Sequence, residues 1–338
     1  MYQVSVLLPC YNAADTLDEA LTSLTYQVFP DFEIVAVDDG STDNTPAILQ
    51  AWERIEPRLR VLHQAHGGII PALNAGLGTC QAPLIARMDA DDRCHPDRLA
   101  QQVDYLLAHP LIAVVGCLVT GFPIEQVRQG FRLYMDWQNS LILDEDIRRE
   151  IFIESPLAHP SVLFRREWVQ QVGGYQEHGW PEDYDLWLRL YLAGAQFGKV
   201  PSVLLEWREH SERLTRTDSR YSLENFLRLK AHYLKRGPLD DRKTVFIWGA
   251  GMMGRRLGKQ LERLQVPLAA YIDIDPEKIG RTRRGLPILA PEELPAWWQR
   301  SQRPILLAAV GARGARSLIR ERLRGFSLRE GSDWLFAA

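Results

Sequence analysis

Short apolar runs alternate with amphipathic segments along the first third of the chain. Four of these runs have the length and composition of buried strands, and they span residues 4–9, 32–37, 60–62 and 84–86. Between the first two runs, apolar side chains recur at helical spacing from about Ala14 onward. Repeated strand–helix–strand units of this kind predict an α/β fold with a mainly parallel sheet and helices on both faces.

Polar side chains lie within three positions after three of the four runs. Tyr11 and Asn12 follow the first run, Asp38 and Asp39 follow the second, and an acidic cluster at residues 89–92 follows the fourth. Ligands of parallel sheets bind beyond the carboxyl ends of the strands. We therefore expect these polar groups to converge on one rim of the sheet.

The acidic cluster places Asp89, Asp91 and Asp92 within four positions. Carboxylates this close raise one another's pKa unless a positive charge lies between them. Mg²⁺ or Mn²⁺ bound to phosphate oxygens would supply that charge. A solvated turn is the alternative, because Asp is common in loops. From the cluster alone, both interpretations stay open.

The chain changes character after residue 215. A polar, basic helix is predicted from Ser219 to Arg236, and a new apolar strand at 243–248 leads into a glycine-rich turn at 249–254. We therefore predict a first domain at 1–215, a helical linker at 216–238 and a second domain at 239–338.

Composition narrows the function classes. The 338 residues carry a formal net charge of −3, so no global basic field favours a nucleic-acid partner. The four cysteines form no close pair, which favours reduced thiols over a disulfide framework or a zinc site. The chain begins without a signal-peptide pattern, and no apolar run reaches the ~18 residues that span a bilayer. We expect a cytoplasmic protein that can contact a membrane from inside.

Three further groups allow a functional and a structural interpretation. Asp38 and Asp39 can form a turn, or their carboxylates can accept hydrogen bonds from a base or a ribose. Glu182 and Asp183 begin a predicted helix, where acidic residues stabilise the dipole, but a carboxylate in this aromatic surround can also act as a general base. The histidines His159 and His210 are structural or ligating.

Four of these motifs occur in the order seen in family-2 glycosyltransferases of the GT-A fold, and the chain resembles that family over about residues 2–210. The motifs are Val4-Ser5-Val6-Leu7-Leu8-Pro9-Cys10-Tyr11-Asn12, Asp38-Asp39-Gly40-Ser41-Thr42-Asp43, Asp89-Ala90-Asp91-Asp92 and Glu182-Asp183-Tyr184-Asp185. The resemblance implies transfer of a sugar from a nucleotide donor, usually a UDP-sugar, to a hydroxyl acceptor. It also implies inversion at the anomeric carbon and a divalent cation, Mn²⁺ or Mg²⁺.

The resemblance assigns most of the donor site to the strand ends. The residues that resemble the nucleoside-binding set are Pro9, Tyr11, Asn12, Asp38 and Asp39. Asp89 looks like the carboxylate near the ribose, and Asp91 looks like the ligand of the metal that bridges the diphosphate. His210 resembles the C-terminal histidine that helps to hold metal or diphosphate.

The resemblance assigns the acceptor side to the middle of the chain. Gly173 and Gly174 match the glycine-rich acceptor loop, and Asp183 matches the catalytic base that takes the proton of the acceptor hydroxyl. We group Glu182 with the donor-binding residues. Many relatives carry an arginine in the segment before the acidic motif, whereas residues 67–76 here contain none, so we expect Arg87 to take over part of its contacts.

The C-terminal part has the spacing of a dinucleotide-binding turn. The turn at 249–254 follows a strand, precedes a helix and is followed by Asp273 at the end of the next strand. This part resembles small Rossmann-like modules attached to sugar-modifying enzymes. It binds NAD(P) or another nucleotide, or it serves assembly or regulation. The basic helix at 220–236 docks on an anionic membrane or packs between domains.

Together these features predict a metal-dependent, inverting glycosyltransferase that acts in the synthesis of a cell-surface polysaccharide or glycolipid. The expected partners are a UDP-sugar donor and a saccharide or lipid-linked saccharide acceptor, without nucleic acid. A non-catalytic nucleotide-sugar-binding regulator and an NAD(P)-dependent enzyme led by the C-terminal domain are the alternatives. The sequence leaves open the donor sugar, the acceptor, the linkage and whether the chain forms a homo-oligomer.

Overall fold

A computed structural model describes residues 2–312 and 314–338. The described chain divides into two compact units. The first contains residues up to Ile147 together with Ser155–His178 and Glu182–Thr217, and the second contains Arg148–Glu154, Gly179–Pro181 and Asp218–Ala338. The predicted linker helix belongs to the second unit in this division.

The first unit is built on one sheet, which has eight strands among the described residues. The strands are β1 (Val4–Cys10), β2 (Phe32–Asp38), β3 (Leu59–His63), β4 (Leu84–Arg87), β5 (Arg93–Cys94), β6 (Ile112–Phe122), β7 (Leu163–Arg165) and β8 (Gln196–Arg208). They lie in the order β3-β2-β1-β4-β7-β6-β8-β5. The first four of that order run parallel, and β7 is antiparallel to both of its neighbours. The parallel α/β sheet predicted from the sequence is confirmed.

Helices flank this sheet. Up to residue 217 they are α1 (Leu17–Thr25), α2 (Thr45–Ile55), α3 (Ile69–Thr79), α4 (Arg98–Ala108), α5 (Gln129–Ser140), α6 (Asp144–Glu150), α7 (Arg166–Gln171), α8 (Glu182–Leu192) and α9 (Leu214–Thr217). The first helix begins at Leu17 instead of Ala14. The Ala13 amide donates to the side chain of Thr45, the first residue of α2, and the Ala14 amide donates to Asp43 in the loop before α2.

The core of the first unit lies against both faces of its central strands. Every residue of β1 and β2 is buried, which explains why these runs are apolar throughout instead of alternating. Helix α3 packs so closely on them that a Cβ atom at Gly76 would overlap Leu7. Helix α8 ends at Leu192, and Ala193 directly after it is exposed.

The second unit has its own sheet. Its elements are α10 (Leu223–Arg236), β9 (Thr244–Trp248), α11 (Met252–Arg263), β10 (Leu268–Ile272), β11 (Thr282–Arg283), β12 (Leu286–Leu289), α12 (Leu294–Gln299), β13 (Pro304–Ala308), α13 (Ala315–Gly325) and β14 (Trp334–Phe336). The strand order is β11-β12-β10-β9-β13-β14, with every pair parallel except β11 and β12. This order is typical of a doubly wound fold.

Helix α10 begins later than the sequence indicated. A short 3₁₀ turn occupies Ser219–Tyr221, and α10 starts at Leu223 because the Ser222 hydroxyl accepts the amide hydrogen of Asn225 as its cap. In the part of the chain that the structure describes, no helix combines the length and the apolar character needed to cross a membrane.

Candidate active site

The carboxyl ends of β1, β2 and β4 meet at one rim of the first sheet. Cys10 lies opposite Asp38 in the β1–β2 register, and Leu7 lies opposite Arg87 in the β1–β4 register. Burial raises the pKa of the Cys10 thiol, and the negative charges of Asp38 and Asp89 raise it further. The polar groups that follow these strands are therefore close together, as the topology requires.

An exposed aromatic platform lies at the end of β1. The Tyr11 ring, 46 % exposed, stacks on the His66 ring with 4.0 Å between centroids and 20° between planes. Asn12 follows in a left-handed conformation, and its side-chain oxygen accepts the amide hydrogen of Thr42 at 2.8 Å. Pro9 is buried within β1. A planar base can stack on such a platform.

The carboxylates of Asp38, the last residue of β2, and of Asp39, directly after it, are buried and already hold neighbouring loops. Asp39 accepts hydrogen bonds from the backbone amides of Gly67 at 3.0 Å and Gly68 at 2.8 Å, and from the Gln64 side chain at 2.6 Å. Asp38 accepts the amide hydrogen of Ser41 at 3.1 Å. Both carboxylates therefore pre-organise the rim, and a base N–H would have to share or replace one of these bonds at Asp39.

The acidic cluster after β4 is tightly packed. One carboxylate oxygen from each of Asp89, Asp91 and Asp92 lies within 4.8 Å of the other two. Asp92 is 1 % exposed; its Oδ1 accepts the amide hydrogen of Arg208 at 2.8 Å, while its Oδ2 is buried without a hydrogen-bond partner among the described residues. Burial raises the pKa of Asp92 well above its usual range, and Asp91 and Asp89 add to that shift.

His210 joins this cluster from the segment that follows β8. Its Nε2 atom lies 2.9 Å from Asp91 Oδ2. Although burial opposes it, the hydrogen bond with His210 lowers the pKa of Asp91 below its usual range. Three carboxylates, one with an orphaned buried oxygen, and an imidazole form a donor set that suits Mg²⁺ or Mn²⁺. The residues present therefore fit a divalent cation.

Two buried arginines flank the acidic cluster. Arg87 forms an ion pair with Asp89, and its Nε and Nη1 atoms make no well-formed hydrogen bond within the described residues. Arg213 lies over the rings of Phe131 and Trp207 at 4.8 and 4.6 Å. Its positive charge favours the ionised form of all three carboxylates of the cluster and so acts to lower the pKa of each. Guanidinium groups in this position suit the oxygens of a phosphate.

A second loop of the first unit is held by α3. The Asn74 side chain donates to the Tyr175 carbonyl at 2.8 Å and accepts the Tyr175 amide hydrogen at 3.0 Å. Gly173 and Gly174 have positive φ angles of 85° and 67°, and a Cβ atom at Gly174 would lie 2.8 Å from the Asn74 side-chain oxygen. Only glycine fits both the backbone conformation and this close approach.

The same loop lies beside the start of α8. The Tyr175 hydroxyl is 2.8 Å from His159 Nε2, and Glu182 Oε1 is 3.9 Å from His159 Nδ1. Burial lowers the pKa of His159 well below its usual range, which favours a neutral, structural histidine. Glu182 is only 3 % exposed, whereas Asp183 is half-buried in the first turn of α8, with Oδ1 accepting the Tyr184 amide hydrogen at 2.7 Å.

Comparison with known proteins assigns this arrangement to a family. Residues 5–173 match the family described as glycosyl transferase family 2. The chain belongs to this family. It is a glycosyltransferase with the GT-A fold.

Named relatives and solved structures agree with that assignment. The chain is 33 % identical over 215 residues to the amylovoran biosynthesis glycosyltransferase AmsE of Erwinia amylovora, covering 63 % of this chain and 78 % of the relative. It is 26 % identical over 233 residues to an Escherichia coli UDP-Gal:alpha-D-GlcNAc-diphosphoundecaprenol beta-1,3-galactosyltransferase, covering 68 % and 82 %. Residues 1–349 of S. aureus TarS, solved with UDP-GlcNAc, superpose with a TM-score of 0.57 at 19 % identity, covering 88 % and 79 %.

One further solved structure has a similar fold. The mannosyltransferase PcManGT of Pyrobaculum calidifontis, solved with GDP-Man and Mn²⁺, gives a TM-score of 0.50 at 24 % identity. The match covers 69 % of this chain and 61 % of the mannosyltransferase.

Several residues of this glycosyltransferase's candidate site did not emerge from its sequence. His66 follows β3, so the rule that ligands bind beyond strand ends would have included it. The acidic motif contains Asp92, but the motif by itself gives this residue no role. Arg213 lies three positions after His210, in a segment without a recognisable pattern. The Asn74–Tyr175 pair joins residues 101 positions apart, and no local pattern reports such a contact.

Proposed function

We propose that this glycosyltransferase is metal-dependent and inverting, and that it uses a nucleotide-sugar donor. A UDP-sugar is the first candidate for that donor. The observation that carries the proposal is the Asp89–Asp91–Asp92 cluster after the carboxyl end of β4, in which Asp92 is buried and one of its oxygens has no hydrogen-bond partner among the described residues. TarS was solved with UDP and the E. coli relative is named for UDP-Gal, which favours UDP. PcManGT was solved with GDP-Man and Mn²⁺, so GDP is the nucleotide to test beside it.

The donor half of the reaction needs positive charge around the departing diphosphate. Asp91 and His210 would hold the divalent cation, with Asp89 and Asp92 beside them. When bound, the cation neutralises negative charge on the diphosphate. Arg87 and Arg213 add fixed positive charges that require no reorganisation during the reaction. The Tyr11–His66 platform and Asp39 would receive the nucleoside.

The acceptor half needs a base on a separate element. Asp183 lies in the first turn of α8, next to the loop that contains Gly173 and Gly174. In this proposal its carboxylate takes the proton of the acceptor hydroxyl as that oxygen attacks the anomeric carbon. Attack from the side opposite the leaving group inverts the configuration at that carbon.

We further propose a role in the synthesis of a cell-surface polysaccharide or glycolipid. The relatives include enzymes named for amylovoran and for a diphosphoundecaprenol-linked sugar. A saccharide or a lipid-linked saccharide is therefore the acceptor class to test.

Nucleotide titration tests the donor site. We expect UDP to bind the wild type in the presence of Mn²⁺, to lose affinity when EDTA replaces the metal, and to bind Asp91→Ala weakly under both conditions. Asp104→Ala, an exposed substitution on α4, is the matched control and should behave as the wild type. Tighter binding of GDP than of UDP would indicate a GDP-sugar donor in place of a UDP-sugar. Absence of binding by any nucleotide would refute the proposal.

A second variant separates catalysis from binding. Asp183→Asn should keep UDP affinity but lose roughly 10²- to 10⁴-fold in transfer rate, the usual contribution of a general base. A wild-type protein that binds UDP-sugars but transfers nothing to any acceptor would instead indicate the non-catalytic regulator.

The geometry weakens the NAD(P)-dependent alternative. In dinucleotide-binding folds an acid at the end of the second strand accepts the ribose hydroxyls. Here Asp273 Oδ2 accepts the Ala250 amide hydrogen at 2.8 Å and lies 3.5 Å from Lys278 Nζ, while Oδ1 accepts the Asp275 amide hydrogen at 3.0 Å. Both oxygens already have partners within the chain.

A further inference from the structure

The small net charge of the chain conceals an uneven distribution. Residues 218–338 contain 23 of the 40 Lys and Arg residues but only 13 of the 43 Asp and Glu residues. The C-terminal part is therefore strongly basic and the remainder is acidic. Such an asymmetry between two halves of a chain indicates an anionic partner for the basic half.

Helix α11 presents much of this positive charge to solvent. Arg255, Arg256 and Lys259 are all exposed, and their spacing places them on successive turns of one side of the helix. Within the described residues none of the three forms an ion pair with a carboxylate. By contrast, Arg263 in the last turn lies 3.6 Å from Glu224. The side chains of the first two turns therefore keep their charge uncompensated.

The hairpin between β11 and β12 extends this surface. Arg281 and Arg283 are exposed there and, among the residues that the structure describes, form no ion pair. The neighbouring Arg284 pairs with Glu262 of α11, which ties the hairpin to the helix. We call the five exposed side chains without an ion pair in the described structure the basic face: Arg255, Arg256, Lys259, Arg281 and Arg283.

Apolar side chains beside the basic face favour a lipid surface over a nucleic acid. Met252, in the first turn of α11, is 54 % exposed, and Ile274, just after β10, is 74 % exposed. Aliphatic side chains next to cations can enter the boundary between headgroups and acyl chains. Surfaces that bind single-stranded nucleic acid instead use aromatic rings for stacking, and no aromatic side chain among the described residues of this unit is among the large exposed apolar ones.

We propose that the basic face docks on an anionic phospholipid surface. The site predicted from the sequence for membrane contact, the helix at 220–236, is a weaker candidate because α10 buries Leu227, Lys230 and Tyr233 within the described structure. The choice of a lipid partner also rests on the proposed function, since a lipid-linked acceptor would lie at such a surface. Each cation near an anionic leaflet raises the partition coefficient about fivefold.

Vesicle flotation tests this proposal with the full chain. We expect flotation with vesicles that contain phosphatidylglycerol but not with vesicles of phosphatidylcholine alone, and we expect high salt to weaken it. The triple variant Arg255→Gln, Arg256→Gln, Lys259→Gln should lower the partition coefficient roughly a hundredfold.

A matched variant removes the same charge from other elements of the same unit. Lys243→Gln, Arg300→Gln and Arg324→Gln are all exposed substitutions and should reduce flotation far less. Equal losses in the two triple variants, equal flotation with neutral vesicles, or no flotation would overturn the proposal. So would binding of double-stranded DNA as strong as binding of the anionic vesicles. Equal thermal unfolding temperatures show that both variants fold.

Flotation does not depend on catalysis, so its failure can be distinguished from failure of the proposed function. A chain that floats but binds no nucleotide supports the basic face and contradicts the proposed donor site. A chain that binds UDP but does not float supports the donor site and contradicts the basic face.

Discussion

Two hydrogen bonds between Asn74 and Tyr175 make the loop that contains Gly173 and Gly174 depend on one side chain of α3. Asn74→Ala removes both hydrogen bonds, at 2.8 and 3.0 Å, and leaves the Tyr175 amide and carbonyl groups without their protein partner. Each bond contributes about 1 kcal/mol net. Because Asn74 is exposed, water can replace part of the loss, so we expect a total of about 1–2 kcal/mol.

The lost hydrogen-bond energy should weaken the reaction with the acceptor and leave the binding of the donor nucleotide unchanged. If the loop positions the acceptor, a loss of this size lowers kcat/KM for the acceptor about tenfold. The dissociation constant of UDP, measured by titration calorimetry, should not change. The assay is transfer from a labelled UDP-sugar at varied acceptor concentration.

A matched control exists on α5. Asn139 makes the same pair of bonds with the backbone of Val119, at 3.0 and 2.8 Å, and it is half-buried. Asn139→Ala should cost at least as much in the free energy of unfolding but leave kcat/KM for the acceptor unchanged. If Asn74→Ala destabilises the fold while acceptor kinetics match those of Asn139→Ala, the loop does not position the acceptor.

Two further predictions concern stability. Burial lowers the pKa of Lys199 to about 7, whereas the pKa of an ordinary lysine is near 10.4. Between these two pH values the folded chain binds fewer protons than the unfolded chain. The contribution of Lys199 therefore makes the free energy of unfolding rise with pH across that window. The free energy of unfolding of Lys199→Met should therefore exceed that of the wild type most strongly below pH 7, and the difference should shrink towards pH 10. Denaturant titrations measure both values, and a difference that does not change with pH would contradict this prediction. In the second unit, a methyl group at Gly254 would overlap the Gly249 carbonyl oxygen, whereas one at Gly251 has no atom within 4 Å. Calorimetry should show a loss of about 1–3 kcal/mol for Gly254→Ala and little change for Gly251→Ala, and equal losses would refute the packing argument.

The sequence predicted the parallel half of the first sheet well but the remainder poorly. β1 and β2 are continuous apolar runs, so local composition identifies them. The chain between residues 119 and 207 lacked a clear pattern. There, β7 has only three residues, and β6 pairs with β8 through several register shifts. Short strands and irregular pairing are stabilised by distant partners, which local periodicity does not reveal.

The candidate site likewise contains residues that the sequence identified and contacts that only the structure revealed. The strand-end rule located Tyr11, Asp38 and the acidic cluster, because a strand and the residue that follows it are adjacent in sequence. It did not show that Tyr11 stacks on His66 or that Arg213 acts on the acidic cluster. Those contacts join segments that are far apart in the chain.

The order and spacing of motifs by themselves determined the family of this protein, and the alternation of apolar runs and helices determined its α/β class. These are local properties, since each motif is a few consecutive residues. Only the tertiary structure decided how deeply each carboxylate is buried and which groups donate hydrogen bonds to it. Asp39 is held by backbone amides, whereas one oxygen of Asp92 is buried without a hydrogen-bond partner in the described chain. Burial and hydrogen-bond partners depend on segments brought together by folding, so the same residue type can hold a loop at one position and keep a buried oxygen without such a partner at another.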